Sequence, residues 1–314
     1  MRELKTLVQG CVVLIVLVGW LCIAYVPFFI ASVIKLAVPT NGFRKRMTDV
    51  LVRIAEIWVQ GNWVVIREMN LTRWEVRGLE SVHADESYLV VSNHVSGVDI
   101  MVALLTLGGR APFLRFFLKQ ELIWMPIIGL ACWALDFPFM KRFSKKYLEK
   151  HPKKRGTDLD TARRSCEKFE GSPVSILNYV EGTRFRESIY KRQGAHFGYL
   201  LKPKAGGVGL VFEVMGEQLD GILNMTVVYP DGVSILRFLG GDVGCISVDV
   251  ERVALPEELL GRAYTQDPEY RAELYKWLNN LWAEKDQLIE RRLKEHTEHA
   301  TIQVAGVGFL RFFF

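Results

Sequence analysis

The sequence predicts an α/β fold, a mixed sheet flanked by helices, preceded by N-terminal membrane-anchoring helices. Three observations carry this. Short β-rich runs alternate with helical ones beyond residue 70, the first forty residues hold a disproportionate share of the apolar side chains, and a long amphipathic stretch closes the ordered part of the chain.

The N-terminal run from Leu7 to Pro39 is apolar almost throughout, and Lys35 is the only charge between Lys5 and Arg44. One helix of that length would reach about 45–50 Å, well past the ~30 Å hydrocarbon core of a bilayer. Pro27 removes a backbone donor, so the expected arrangement is a span over Leu7–Tyr25, a break at Pro27, and a second apolar piece. Met47–Met69 carries apolar residues at near-helical spacing (Val50, Leu51, Ile54, Ile57, Trp58) and is expected to pack back against the interface. A kinked hairpin and a span plus an interfacial helix both fit. A cleaved signal peptide fits less well, because the run is too long and Trp20 precedes Leu21-Cys22 where a lipobox needs a small residue. More basic residues follow the run (Lys35, Arg44, Lys45, Arg46) than precede it (Arg2, Lys5), which places the following domain in the cytoplasm.

Tyr88–Ser92, Phe113–Leu118, Val174–Val180, Met225–Tyr229 and Gly244–Val253 read as strands. Helices are expected near 98–107, 121–134, 157–170 and 205–216. The 267–294 stretch reads as an amphipathic helix with Tyr270, Leu274, Trp277, Leu281 and Leu288 on its apolar side. The charged segment Lys141–Arg164 reads as an exposed loop and helix pair. With 314 residues and no internal repeat or long linker, the expected organisation is a membrane anchor over 1–70, one catalytic domain over 71–300, and an apolar tail over 301–314.

A formal charge of +5 and a pI near 8.9 are too mild for a nucleic-acid partner, and zinc spacings and RNA-binding aromatic signatures are lacking; an anionic lipid surface suits the balance better. The five cysteines (Cys11, Cys22, Cys132, Cys166, Cys245) are scattered without paired or metal-like spacing and read as reduced thiols.

Four constellations carry chemistry. In Asn93-His94-Val95-Ser96-Gly97-Val98-Asp99, a strand ending at His94 and a helix starting near Val98 would bring the carboxylate of Asp99 beside the imidazole. Such a carboxylate fixes the histidine tautomer and frees the other ring nitrogen to take a proton from an alcohol. A buried histidine bonded to a helix-capping aspartate gives the same spacing without catalysis. Glu181-Gly182-Thr183-Arg184 follows a strand, and there glycine permits a tight turn while arginine offers a planar fork for phosphate; a solvated turn with a surface ion pair is the alternative. Phe137–Arg142 ends in two cations, Lys141 and Arg142, suited to an anionic head group or to an ordinary basic loop. Lys202-Pro203-Lys204-Ala205-Gly206-Gly207 puts Lys204 at a helix N-terminus, where phosphate binds well.

In this order these blocks, with Phe139 and Val227-Val-Tyr-Pro230, resemble the glycerolipid acyltransferase family, in particular the PlsC-type lysophosphatidate acyltransferases, over roughly residues 75–235. The Arg184-to-Lys204 spacing and Phe117–Leu122 are similar to its YihG-like branch. The resemblance implies the glycerolipid acyltransferase fold, a bacterial inner-membrane location, and transfer of a fatty acyl group from acyl-CoA or acyl carrier protein to the free hydroxyl of lysophosphatidic acid, with no cofactor and no metal. It makes His94 the general base, Asp99 its orienting partner, Arg142 and Arg184 the phosphate site, and Glu181, Gly182 and Thr183 the shape of the acceptor pocket. The chain departs from the family pattern at Asp136, usually glycine, at Lys141, usually acidic, and at Val227, usually proline. These departures motivate the alternatives of a different lysophospholipid acceptor (lysophosphatidylinositol, lysophosphatidylglycerol or lysocardiolipin) and of a non-catalytic lipid-binding paralogue.

Overall fold

The computed structural model describes residues 1–310 except positions 71, 126, 141–156, 170, 263 and 265–266. Two helices open the chain, α1 (Arg2–Ala37) and α2 (Asn41–Met69), and they pair as an antiparallel hairpin. Gln9 Nε2 donates to the Met69 carbonyl at 2.6 Å, Trp20 Nε1 to the Trp58 carbonyl at 3.0 Å, and Lys35 Nζ to Thr48 Oγ1 at 2.8 Å. The expected break at Pro27 does not occur. A proline costs a helix one internal hydrogen bond and kinks it, but need not end it when flanking turns are held by packing. Here Phe28 and Ala31, just beyond the proline, pack against Leu51 and Ala55 of α2.

The six-stranded sheet has the order β1-β8-β7-β2-β6-β3. Its strands are β1 (Arg73–Arg77), β2 (Tyr88–Ser92), β3 (Leu114–Arg115), β6 (Ser175–Tyr179), β7 (Gly221–Val228) and β8 (Cys245–Val253). β2 lies between β6 and β7, parallel to both, while β7 and β8 are antiparallel, so the sheet is mixed as expected. All five residues of β2 are buried, as a central strand covered on both faces requires. The period of two divides them: Leu89 and Val91 face one core with α7 (Ala205–Met215) and α9 (Pro268–Leu310), and Tyr88 and Val90 face the other with α2 and α3 (Asp99–Leu107).

Three sequence expectations differ in detail. Phe113–Leu118 is not one strand but two short ones, β3 on the main sheet and β4 (Leu118–Lys119), which pairs with β5 (Phe139–Met140) in a separate two-stranded sheet. The stretch 121–134 divides into a 3-10 turn, Gln120–Trp124, and α4 (Ile128–Ala134). Met125 is extended at ψ 123°, the conformation a following proline imposes. The closing helix α9 runs beyond residue 294 to Leu310, and its buried face includes a charge, Lys285, among Leu278, Leu281, Trp282 and Ile289. α5 (Thr157–Cys166) follows the stretch at 141–156, which lies outside the described residues. Two short helices, α6 (Glu187–Arg192) and α8 (Ile235–Leu239), and the strand β1 have no counterpart in the sequence reading.

Candidate active site

At the C-terminal edge of β2 the chain passes into Asn93 and His94, between the ends of β6 and β7. The Asn93 side chain acts as one more rung of the ladder: its Nδ2 donates to the Val227 carbonyl (2.8 Å) and its Oδ1 accepts the Val227 N–H (2.9 Å). The His94 backbone is held from the other side, its N–H donating to Glu181 Oε1 (3.2 Å) and its carbonyl accepting the Phe185 N–H (2.7 Å). With both peptide groups of His94 committed, its ring has little freedom.

Asp99 opens α3 and is 0% exposed. Its Oδ2 accepts three donors, His94 Nδ1 at 2.8 Å and the Val95 and Ser96 N–H groups at 2.6 and 2.8 Å, and its Oδ1 accepts the Tyr229 hydroxyl at 2.7 Å. An acceptor-only carboxylate facing Nδ1 assigns the proton to that nitrogen and leaves Nε2 as a bare acceptor. The His94 ring stacks on Tyr179, centroids 4.1 Å apart at 18°, and the side chain is 16% exposed. Burial, then the charge of Asp99, push both the Tyr179 and the Tyr229 hydroxyls well above the ordinary tyrosine range, so neither competes as a base.

The turn after β6 closes the site. Gly182 sits at φ 69°, in the left-handed region, and a Cβ there would meet Lys204 Nζ at 2.9 Å. The Lys204 N–H donates to the Val180 carbonyl at 2.7 Å, which draws the Lys202–Gly207 block onto the Glu181–Arg184 turn. Arg184 Nη1 lies 3.8 Å from the point where a Cβ on Gly97 would stand, so the guanidinium reaches over the loop between His94 and Asp99. Arg184 and Lys204 are exposed, and Thr183 is half-buried beside them.

Glu181 is buried, and its oxygens face the His94 and Leu201 N–H groups (3.2 and 3.4 Å). It braces the backbone of the candidate base. Burial pushes its carboxyl up to about 7; the two backbone donors and the charge of Lys285 oppose that shift. Lys285, 1% exposed, donates to the Met225 carbonyl (2.5 Å) and to Thr226 Oγ1 (3.1 Å), and burial pulls its ammonium down to about 7.

The structure therefore gathers His94, Asp99, Glu181, Gly182, Thr183, Arg184 and Lys204 at one sheet edge, while Lys141 and Arg142 lie outside the described residues. Sequence reasoning missed the roles of Asn93, Tyr179, Tyr229 and Lys285. Asn93 and Tyr229 stood inside quoted motifs, but only the neighbouring strands give them partners; Lys285 looked like one more surface lysine of a charged helix. Among the described residues no group of His, Cys, Asp and Glu side chains is placed to hold a metal ion.

The structure sets the His94–Asp99 pair beside exposed cations at the edge of a mixed α/β sheet, and the comparisons show the family. The family model described as Acyltransferase matches residues 73–234, just over half of the chain, and the chain belongs to that family. It is 25% identical over 228 residues to the 1-acyl-sn-glycerol-3-phosphate acyltransferase epsilon of Mus musculus, covering 65% of this chain and 57% of the mouse protein. It is 30% identical over 112 residues to the alpha enzyme of Homo sapiens, covering 36% of this chain and 35% of that one. The chain thus aligns with about a third to three-fifths of these relatives' length. The crystal structure of the 1-acyl-sn-glycerophosphate (LPA) acyltransferase PlsC from Thermotoga maritima superposes with a TM-score of 0.50 over 95% of this chain and 98% of that one; at 15% identity the likeness is one of fold.

Proposed function

We propose that the protein transfers a fatty acyl group from acyl-CoA or acyl carrier protein to the free hydroxyl of lysophosphatidic acid, giving phosphatidic acid. The observation that carries this is the 2.8 Å contact between His94 Nδ1 and Asp99 Oδ2, with Arg184 reaching over the same loop. His94 Nε2 takes the proton of the acceptor hydroxyl as its oxygen attacks the thioester carbonyl. The imidazolium is stabilised by Asp99. The tetrahedral intermediate then collapses, the carbon–sulfur bond breaks, and Nε2 returns the proton to the departing thiolate. Arg184 and Lys204 hold the acceptor phosphate, Arg142 is assigned to the same phosphate by family resemblance, and Lys141 beside it suits an anionic head group by its charge.

Two departures from the family pattern serve contacts within this fold. Asp136 stands at φ 58°, the conformation for which glycine is the usual residue, and its carboxylate pairs with Lys35 (2.8 Å) and Thr48 (2.6 Å). Val227 supplies a backbone N–H to Asn93, which a proline would lack. Lysophosphatidic acid is accordingly the first acceptor to test.

The reading extends to membrane attachment through residues 1–70, with the domain over 71–300 carrying catalysis in the cytoplasm at the bacterial inner membrane. α1 is long and apolar enough to cross a bilayer. The test is an assay with labelled acyl-CoA and a panel of lysophospholipids. Lysophosphatidic acid is expected to react fastest, and His94→Ala is expected to abolish transfer without change in folding or membrane recovery. Full activity in that variant would sink the proposal, and lipid binding without turnover of any acceptor would identify a non-catalytic paralogue.

A further inference from the structure

One sizeable cavity lies away from His94. It has a volume of about 760 Å³, and Lys35, Arg44, Lys45, Arg115, Arg164 and Lys168 line it. Three carboxylates share its walls, Asp49, Glu56 and Asp136, so cations are in excess. Asp136 is already committed, to Lys35 at 2.8 Å, Thr48 at 2.6 Å and Lys168 at 3.7 Å.

Among the described residues, two of the arginines have no carboxylate within salt-bridge distance. Arg115 is 6% exposed; its Nε donates to the Leu135 carbonyl (2.8 Å) and its guanidinium lies 5.0 Å from the Phe169 ring centroid. No carboxylate oxygen among the described residues pairs with it, and burial pulls its pKa down to about 10 against the distant pull of Asp136, Asp49 and Glu56. Arg44 Nε is buried without a hydrogen-bond partner. A buried guanidinium of this kind is stabilised by a counter-anion.

The cavity lies at the opposite end of the central strands from His94. Ala84, ahead of β2, and Ser172 and Pro173, ahead of β6, line it, whereas His94 follows the other end of β2. Five residues of strand separate the two by roughly 17 Å. Its surroundings point to lipid. Lys35 at the end of α1 and Asn41, Arg44 and Lys45 at the start of α2 line the cavity, and Phe29, Ile30, Val33 and Ile34 are exposed on the last turns of α1. The loop leading into α4 adds Trp124, 86% exposed, with Met125, Ile127 and Ile128, and Trp133 of α4 lines the cavity itself. Aromatic and apolar side chains bordering a basic pocket form the profile of a site at the level of lipid headgroups.

We propose that this cavity binds the phosphate headgroup of an anionic membrane phospholipid, at a site separate from the His94 centre, with the acyl chains lying along the apolar face of α1. The test is flotation of the full-length protein with vesicles of phosphatidylcholine alone or mixed with phosphatidylglycerol, a readout independent of acyl transfer. The wild type is expected to prefer the mixed vesicles, and Arg115→Met and Arg44→Gln each to lower that preference about tenfold while binding phosphatidylcholine as before. Arg44→Gln, at a half-buried position, tests the site even if Arg115→Met fails to fold. Arg46→Gln removes an exposed cation outside the cavity and is expected to cost no more than the roughly fivefold due to any basic residue near an anionic surface. Equal losses in Arg44→Gln and Arg46→Gln would overturn the proposal. So would inorganic phosphate that abolishes the preference at concentrations matching the lipid phosphate, which would mark a free-phosphate site.

Discussion

At the scale of single residues, the candidate site is a histidine whose every neighbour has a reason to be there. Asp99 takes four donors, three on Oδ2 and one on Oδ1, and an asparagine in its place would turn its N–H₂ group either toward His94 Nδ1 and the Val95 and Ser96 N–H groups together or toward the Tyr229 hydroxyl. Asp99→Asn is expected to lower kcat on the order of 10³–10⁴-fold, because the amide lacks the charge that stabilises the imidazolium. Paired turnover and thermal-unfolding measurements will show whether the loss exceeds what instability explains. Glu181 yields a pH prediction. Its carboxyl is raised by burial to about 7, above the ordinary value of about 4.3, so the fold favours the protonated form. Its contribution to stability is full below about pH 4.3 and is lost as pH rises through 7. Glu181→Gln cannot ionise, so its melting temperature is expected to fall less than that of the wild type across that window.

At the scale of elements, the central strands were legible because a strand buried on both faces needs a mostly apolar, β-branched or aromatic run, and Tyr88–Ser92, Val174–Val180 and Met225–Tyr229 each supply one. The run Phe113–Leu118 looks alike in sequence. It fails as a single strand because β3 reaches the main sheet only through β6, and β4 finds its partner in β5. Partner availability is a tertiary fact. Edge geometry also makes Gly78 decisive: it sits at φ 81°, and a Cβ there would lie 1.9 Å from the Val250 carbonyl oxygen. The clash is with backbone of β8, which cannot rotate away. Gly78→Ala is expected to destabilise the β1–β8 edge by at least the about 1–3 kcal/mol of a strained backbone, read as a lower midpoint in thermal unfolding.

At the scale of the whole molecule, α1 is tied to the rest of the chain at both ends. Arg2 pairs with Asp242 (2.7 Å) and Gly10 lies against Gly240 at one end, while Lys35 pairs with Asp136 at the other. One stripe of α1 is buried and the remainder presents Leu7, Ile15, Ile23 and Ile30 outward along its length. Ile15→Asp with Ile23→Asp puts two charges on the outward apolar face of α1 and is expected to release the protein from vesicles in a flotation assay without lowering its melting temperature. Membrane recovery equal to wild type would show that α1 is not the anchor.

By itself, the sequence determined the α/β class, the apolar N-terminal helix, and the motif residues His94, Asp99, Glu181 and Arg184, because periodicity and residue chemistry are local properties. Only the tertiary structure decided that Tyr229, just past β7, bonds Asp99, that Tyr179 of β6 stacks on His94, that Glu181 braces His94, and that Lys285 arrives from a helix nearly two hundred residues on. Those contacts depend on strand order and register, which bring distant segments together through packing that no window of sequence contains.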